Sequence, residues 1–164
     1  MNHIGQVIKA MIAYYAGDVR RINHFLKVYG FAKAIGEMEG LDESTQEILE
    51  IAALTHDIGI KNSEKKYSSS AGNYQQIEGP PEAKTLLANL GVESNVIDRV
   101  CWLIAHHHTY TDIHGIDYQI LVESDFLVNA FEDNMPDASI ESFMTKVFMT
   151  ETGTEFLKTM YKSQ

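Results

Sequence analysis

The sequence predicts an all-α fold, a bundle of about six to eight helices. Three observations carry that reading. Apolar residues recur at helical spacing along most of the chain, no stretch shows the two-residue alternation of a half-buried strand, and glycine, proline and capping residues punctuate the periodic segments. With 164 residues, 45% of them hydrophobic, the chain can bury one core. Three prolines and no long polar tract leave no linker, so residues 1–164 read as a single domain.

The elements follow in order. Ile4, Val7, Ile8, Met11, Ile12 and Tyr15 form the stripe of a first helix. Gly17 interrupts it, and Asp18 can cap a second helix from Val19 to about Met38. The apolar stripe of that helix includes Ile22, Phe25, Tyr29, Ala32 and Ile35, with His24 off its centre and Arg20 on the face of His24. Asp42 or Ser44 can cap a third helix that runs to about Asp57, with Gly59 marking its end. Residues 61–77 read as a long loop leaving directly from His56-Asp57 and overhanging it; loops of that length inside a small domain are uncommon and often functional. Glu78-Gly79-Pro80-Pro81 should start the next helix, because proline suits a first turn, and Gly91 should stop it. Glu93 or Ser94 opens a helix containing Val96, Ile97, Val100, Leu103 and Ile104, which ends in His106-His107-His108. Asp117 then caps a helix from Tyr118 to Phe131, whose apolar run brackets Asp125. A carboxylate in so apolar a segment is costly to bury alone and calls for a cation or metal partner. Residues 139–162 form closing helices, in which Phe143, Phe148, Phe156 and Met160 either complete the core or make the seam of a homodimer.

Composition excludes several classes. The formal net charge is -10, from 13 basic and 23 acidic residues, and no basic stripe offsets it, so a nucleic acid polymer is not an expected partner. A small phosphorylated substrate can still bind where a metal and a few cations focus the field. No apolar run reaches the length that spans a bilayer, so no membrane association is expected. The first residues lack the basic region and apolar core of a signal peptide. The single Cys101 allows no disulfide within one chain, which fits a reducing compartment; the expected location is cytoplasmic.

The chemistry centres on His56-Asp57. Neighbouring helical residues point about 100° apart, so both can turn to one point only where the helix ends, as Gly59 suggests. With His24 and Asp125 they make two imidazoles and two carboxylates. Such a set can hold one divalent ion and leave positions open for water and substrate. Mixed nitrogen and oxygen ligation suits Mn²⁺, Fe²⁺, Co²⁺, Ni²⁺ or Zn²⁺ better than Ca²⁺, and Mg²⁺ is also admitted.

In order, spacing and helical context, three segments resemble the pattern of the HD superfamily of metal-dependent phosphohydrolases over roughly residues 18–131. These are Arg20-Arg21-Ile22-Asn23-His24, Thr55-His56-Asp57-Ile58-Gly59 and Glu123-Ser124-Asp125-Phe126-Leu127. The resemblance implies that His24, His56, Asp57 and Asp125 ligate one metal. In relatives with two metals a His-His pair follows an aliphatic residue, and His107-His108 match it, with Ile104 three before His107 and His106 left outside. Where those families place His before Gly this chain has Glu78-Gly79; Glu78 can also ligate, or can simply be a carboxylate favoured at a helix start. Where many carry lysine three residues after the Asp, Ile60 stands here and Lys61 follows. Arg20 and Lys61 are the candidates for gripping phosphoryl oxygens, and Asp57 for orienting the nucleophile. The implied activity is hydrolysis of a phosphate ester or anhydride by metal-activated water, in a small substrate, with nucleotides first. The Gly-Tyr-Pro motif of the branch that cleaves cyclic dinucleotides is missing; the matching region reads Asp112-Ile113-His114-Gly115-Ile116-Asp117-Tyr118. Two other classes share this architecture: a di-iron oxygenase, and a non-catalytic module that binds nucleotide or metal.

Overall fold

The computed structural model describes residues 2–161, and these form helices and no strand, in accord with the all-α reading. The order is α1 (Ile4–Tyr14), α2 (Val19–Met38), α3 (Glu43–Thr55), α4 (Ile60–Tyr67), α5 (Gly72–Asn89), α6 (Ser94–His106), α7 (Ile116–Glu132), α8 (Asp137–Val147) and α9 (Glu151–Met160). Capping carboxylates set two of the starts, as their sequence positions suggest: Asp18 accepts from the Arg21 amide at 3.2 Å and Asp42 from the Thr45 amide at 3.0 Å. The Thr150 hydroxyl does the same for α9, accepting from the Gly153 amide at 3.0 Å. None of these helices is long and apolar enough to cross a membrane.

The core is built around α7. Every residue from Asp117 to Val128 is buried, so this helix is covered on all sides rather than along one stripe. It packs against α2 and α3, while α6 lies across α3 and carries α5 on its outer side. Val28, Ala32 and Ile35 of α2 fill the layer with Leu49, Ala53 and Leu54 of α3 and Leu103 and Ile104 of α6. Each large aliphatic residue buried there contributes about 1.5–3 kcal/mol. Phe143, Phe148 and Phe156 pack on this core, whereas Met160 is exposed. Of the expected closing segment, Lys162 lies outside the described residues.

Two expectations are corrected. Residues 61–77 are not a long loop. Ile60–Tyr67 and the stretch from Gly72 are helical, and only the link from Ser68, at φ 53°, to Ala71 is irregular. Lys61, Glu64, Lys65 and Lys66 are good helix formers, but with only Ile60 and Tyr67 as large apolar side chains the segment is too short and polar to read as a helix. The prolines are the second correction: Pro80 and Pro81 lie inside α5, not in its first turn. Their rings cost the helix the bonds to the carbonyls of Gln76 and Ile77, and that face is half-exposed to exposed, where water can serve those groups. The neighbouring Gly79 backs onto Gly59, and a Cβ on Gly59 would lie 2.6 Å from the Gly79 nitrogen. The two glycines therefore let α5 sit directly on the turn that carries His56 and Asp57.

Candidate metal centre

The geometry starts where α3 stops. The helix ends at Thr55, and the chain turns through residues 56–59 with Ile58 N–H donating to the Thr55 carbonyl at 2.9 Å. The Tyr15 hydroxyl donates to the Asp57 carbonyl at 2.7 Å and pins this turn from α1's end. Release from helical spacing lets His56 and Asp57 face one point. His24 arrives from α2 and Asp125 from the buried face of α7.

Four side-chain atoms converge. His24 Nε2 lies 3.2 Å from Asp57 Oδ2 and 3.2 Å from Asp125 Oδ1, while His56 Nε2 lies 3.3 Å from each of the same oxygens. The two Nε2 atoms are 3.2 Å apart. His56 Nδ1 sits 2.7 Å from the Ala53 carbonyl and His107 Nδ1 sits 2.7 Å from the Ile104 carbonyl. A carbonyl only accepts, so Nδ1 is the donor in both rings and Nε2 presents a lone pair in the neutral form. Asp57 faces two ways: Oδ2 toward His24 and His56, Oδ1 toward His107 Nε2 at 3.5 Å. Asp57, His107 and His108 thereby form a second group of potential ligands that shares its carboxylate with the first.

Lone pairs facing lone pairs at these distances are stable only with a proton or a cation between them. Without a metal, protons take that role. Burial disfavours charge on His24, yet the Asp125 and Asp57 carboxylates at hydrogen-bonding distance outweigh it and raise its pKa to about 10. His56 is pushed well above its ordinary value against the same burial, chiefly by Asp57 and Asp125. Burial opposes ionisation of Asp57 and Asp125 too, but His56 and the neighbouring rings hold both carboxyls well below the usual range. His108 moves the other way, down to about 4, from burial and the adjacent His107.

A divalent ion fits this set better than protons do. Asp125 Oδ1 and His107 Nε2 are buried without a well-directed hydrogen-bond partner. Ligand atoms each about 2.0–2.2 Å from one ion sit roughly 3 Å apart, the spacing seen here. Buried Glu123, two residues from Asp125 on α7, marks the contrast. It is fully engaged by Gln119 Nε2 at 2.6 Å, the Thr150 hydroxyl at 2.5 Å and the Met149 and Thr150 amides at 3.2 Å, and ties α7 to the start of α9.

The remaining candidates divide. Arg20 lines the cavity above the centre, about 520 Å³ in volume, and has no ion pair among the described residues. Lys61 does not reach it. Because α4 begins at Ile60, Ile60 lines the cavity and Lys61 is turned aside, donating to the Tyr14 carbonyl at 3.0 Å and lying over the Tyr14 ring. Glu78 is well inside α5 rather than at a helix start, and accepts from Lys66 Nζ at 2.9 Å and the Tyr67 hydroxyl at 3.1 Å, apart from the histidines. His106 points outward and stacks on Trp102. Gln75, one turn before Glu78, is the α5 residue that does reach the centre; its Oε1 accepts from His108 Nε2 at 3.1 Å. Gln75, Ser70 and Asn129 also line the cavity, and nothing in sequence marks the first two. Asn129 is one turn beyond Asp125, a spacing that does place it on the same face.

An all-α chain with a buried mixed imidazole and carboxylate centre under an open cavity is thus defined. The HD domain family model matches residues 21–140, and the chain belongs to that family. Among solved structures it is similar to a protein described as a predicted HD superfamily hydrolase, from an uncultured Thermotogales bacterium. The identity is 22%, the TM-score 0.70, and the likeness covers 97% of this chain and 85% of that one. It is also similar to YpgQ of Bacillus subtilis, at 20% identity and a TM-score of 0.63 over 97% of this chain and 89% of that one. At these identities the likeness concerns the fold. No curated protein matches the chain. Family membership and the two His/Asp groups support a metal-dependent hydrolase.

Proposed function

We propose that this protein is a metal-dependent phosphohydrolase acting on a small phosphorylated molecule, with nucleotides the first class to test. The observation that carries the reading is the convergence of His24, His56, Asp57 and Asp125 on one point, beneath a cavity lined by Arg20, which has no ion pair among the described residues. A divalent ion held there would supply Lewis acidity and a water of lowered pKa. Asp57 divides its two oxygens between the ligand groups, and in this reading it would orient the attacking water toward the phosphoryl group. Arg20 can grip two phosphoryl oxygens and hold charge as it builds on them. Gln75, Ser70 and Asn129 offer uncharged hydrogen-bonding groups to the rest of the substrate. The cavity lies within the ~300–1,000 Å³ typical of small-molecule sites, and it is lined by Asp18, Glu132 and Asp133 as well, which would repel a second long run of phosphates. A single cysteine and a net charge of -10 fit a small-molecule enzyme of the reducing cytoplasm, the setting we propose for it.

The test is release of phosphate or pyrophosphate from a panel of nucleotides and sugar phosphates, with Mn²⁺, Co²⁺, Mg²⁺ and anaerobic Fe²⁺ in turn. Asp57→Ala is run alongside. Metal-dependent turnover that disappears in the variant supports the proposal, and equal turnover in both ends it. The second ligand group, Asp57 with His107 and His108, keeps a di-iron oxygenase as the competing reading. Silence across the panel, two irons per chain and oxygen uptake would favour that alternative.

A further inference from the structure

Three imidazoles point Nε2 into the centre, but they are oriented differently. His56 and His107 each donate Nδ1–H to a carbonyl of their own last helical turn, Ala53 and Ile104. His24 lies within α2, where the carbonyls of the preceding turn are taken by the helix, and its Nδ1 meets a carboxylate from another helix. Glu132 Oε1 is 3.0 Å away and Oε2 3.4 Å. Glu132 is the last residue of α7, seven residues after Asp125, so two turns put both on one face. Asp125 Oδ1 contacts Nε2 and Glu132 Oε1 contacts Nδ1, so α7 holds the His24 ring from both of its nitrogens. The Glu132 carboxylate is 13% exposed, and Lys27, one turn after His24 on α2, places its ammonium 3.9 Å from Oε1.

We infer that Glu132 is a positioning residue for the metal centre: it keeps the proton of His24 on Nδ1, locks the ring with Nε2 toward Asp57 and Asp125, and makes that nitrogen a stronger ligand. The inference rests on the reading that the cluster holds a divalent ion, and not on the reaction the protein carries out. Carboxylate, imidazole and metal in line form a common arrangement, and loss of such a carboxylate costs 10–100-fold in metal affinity. Behind His56 and His107 stand backbone carbonyls instead, so the effect belongs to the His24 ring.

The experiment is a Co²⁺ titration of chelator-treated full-length protein, followed by calorimetry and visible absorption, for the wild type, Glu132→Ala, Glu132→Gln, His24→Ala and the double variant Glu132→Ala/His24→Ala. Circular dichroism checks that each remains helical. Glu132→Ala is expected to weaken the first Co²⁺ equivalent by about 10–100-fold. Glu132→Gln retains an acceptor for Nδ1–H and should recover part of that loss. In the His24→Ala background the Glu132→Ala change should add less than about threefold, because its route is gone. Unchanged affinity in Glu132→Ala overturns the inference. So does an equal loss with and without His24, which would mark a general packing defect, and so does a wild type that takes up no Co²⁺. Failure of phosphate release with these affinity changes intact would count against the proposed reaction alone.

Discussion

Removing metal should change the direction in which pH acts on this protein's stability. In the metal-free state the centre is held by ion pairs between the two imidazolium rings and the Asp57 and Asp125 carboxylates. The pKa of His24 rises from 6.5 to about 10, because Asp125 and Asp57 outweigh the burial that opposes its charge. A folded-state value above the unfolded one contributes stability that is complete below pH ~6.5 and fades as the pH climbs through ~10. At 1.36 kcal/mol for each pKa unit the ceiling is about 5 kcal/mol, and roughly 3 kcal/mol of it is gone by pH 9. The depressed Asp57 and Asp125 carboxyls report the same contacts and are not counted again; their contribution is present at neutral pH and lost in acid. In a chain of this length 1 kcal/mol moves Tm by roughly 2–4 °C, so the metal-free protein should melt about 6–12 °C lower at pH 9 than at pH 6.5. With Zn²⁺ or Mn²⁺ in excess the trend should invert, since protons compete with metal for His24 and His56 and the apparent affinity rises with pH. Thermal melts in EDTA and in metal across this range, with His24→Asn as the control that flattens the EDTA series, read both effects. A metal-free Tm that stays level or rises from pH 6.5 to 9, relative to His24→Asn, would refute the reasoning.

Other perturbations separate the parts of the site. Gly59→Ala would set a Cβ 2.6 Å from the Gly79 nitrogen and 2.7 Å from the Gln75 carbonyl oxygen, so α5 must move; the cost should be about 1–3 kcal/mol in thermal or urea unfolding, and metal binding that depends on His108 should weaken more than binding at His24. Arg20→Ala should raise KM or lower kcat/KM for the best phosphorylated substrate by about 10–100-fold, the worth of a charged hydrogen-bonded contact. Lys61→Ala should change kcat/KM less than about threefold, since its ammonium is held at Tyr14. Glu78→Gln should leave the metal content per chain unchanged by elemental analysis, because Lys66 and Tyr67 occupy that carboxylate.

Much of this architecture was legible from residue pattern alone. Asp18 and Asp42 cap the helices their positions suggested, and α2 runs from Val19 to Met38 as its stripe required. Asp125 could be picked out because a carboxylate in an apolar segment needs a partner, whereas His24, off the centre of its apolar stripe, stood out only through the HD pattern that joins it to His56-Asp57 and Asp125. The helix at Ile60–Tyr67 was invisible because it is short and polar, with Ile60 and Tyr67 its only large apolar side chains, and it packs against α5. Pro80 and Pro81 pointed to a helix start, and that local rule gave way to tertiary contact at Gly59 and Gly79. One residue of phase at the start of α4 decides that Ile60 and not Lys61 faces the cavity, and no composition argument resolves a single residue of phase. Glu132 did leave a trace, seven residues after Asp125 on the same helix face, but Gln75 left none, because its role depends on how α5 crosses α6.

The central claim is that Asp57 joins two groups of ligands into a metal centre. The direct measurement is metal bound per chain at equilibrium, for the wild type and Asp57→Ala, after dialysis against Co²⁺ or Zn²⁺ and with helicity checked by circular dichroism. One or two ions are expected on the wild type and none held tightly by the variant, whose helices persist. Equal metal content in the two proteins would contradict it.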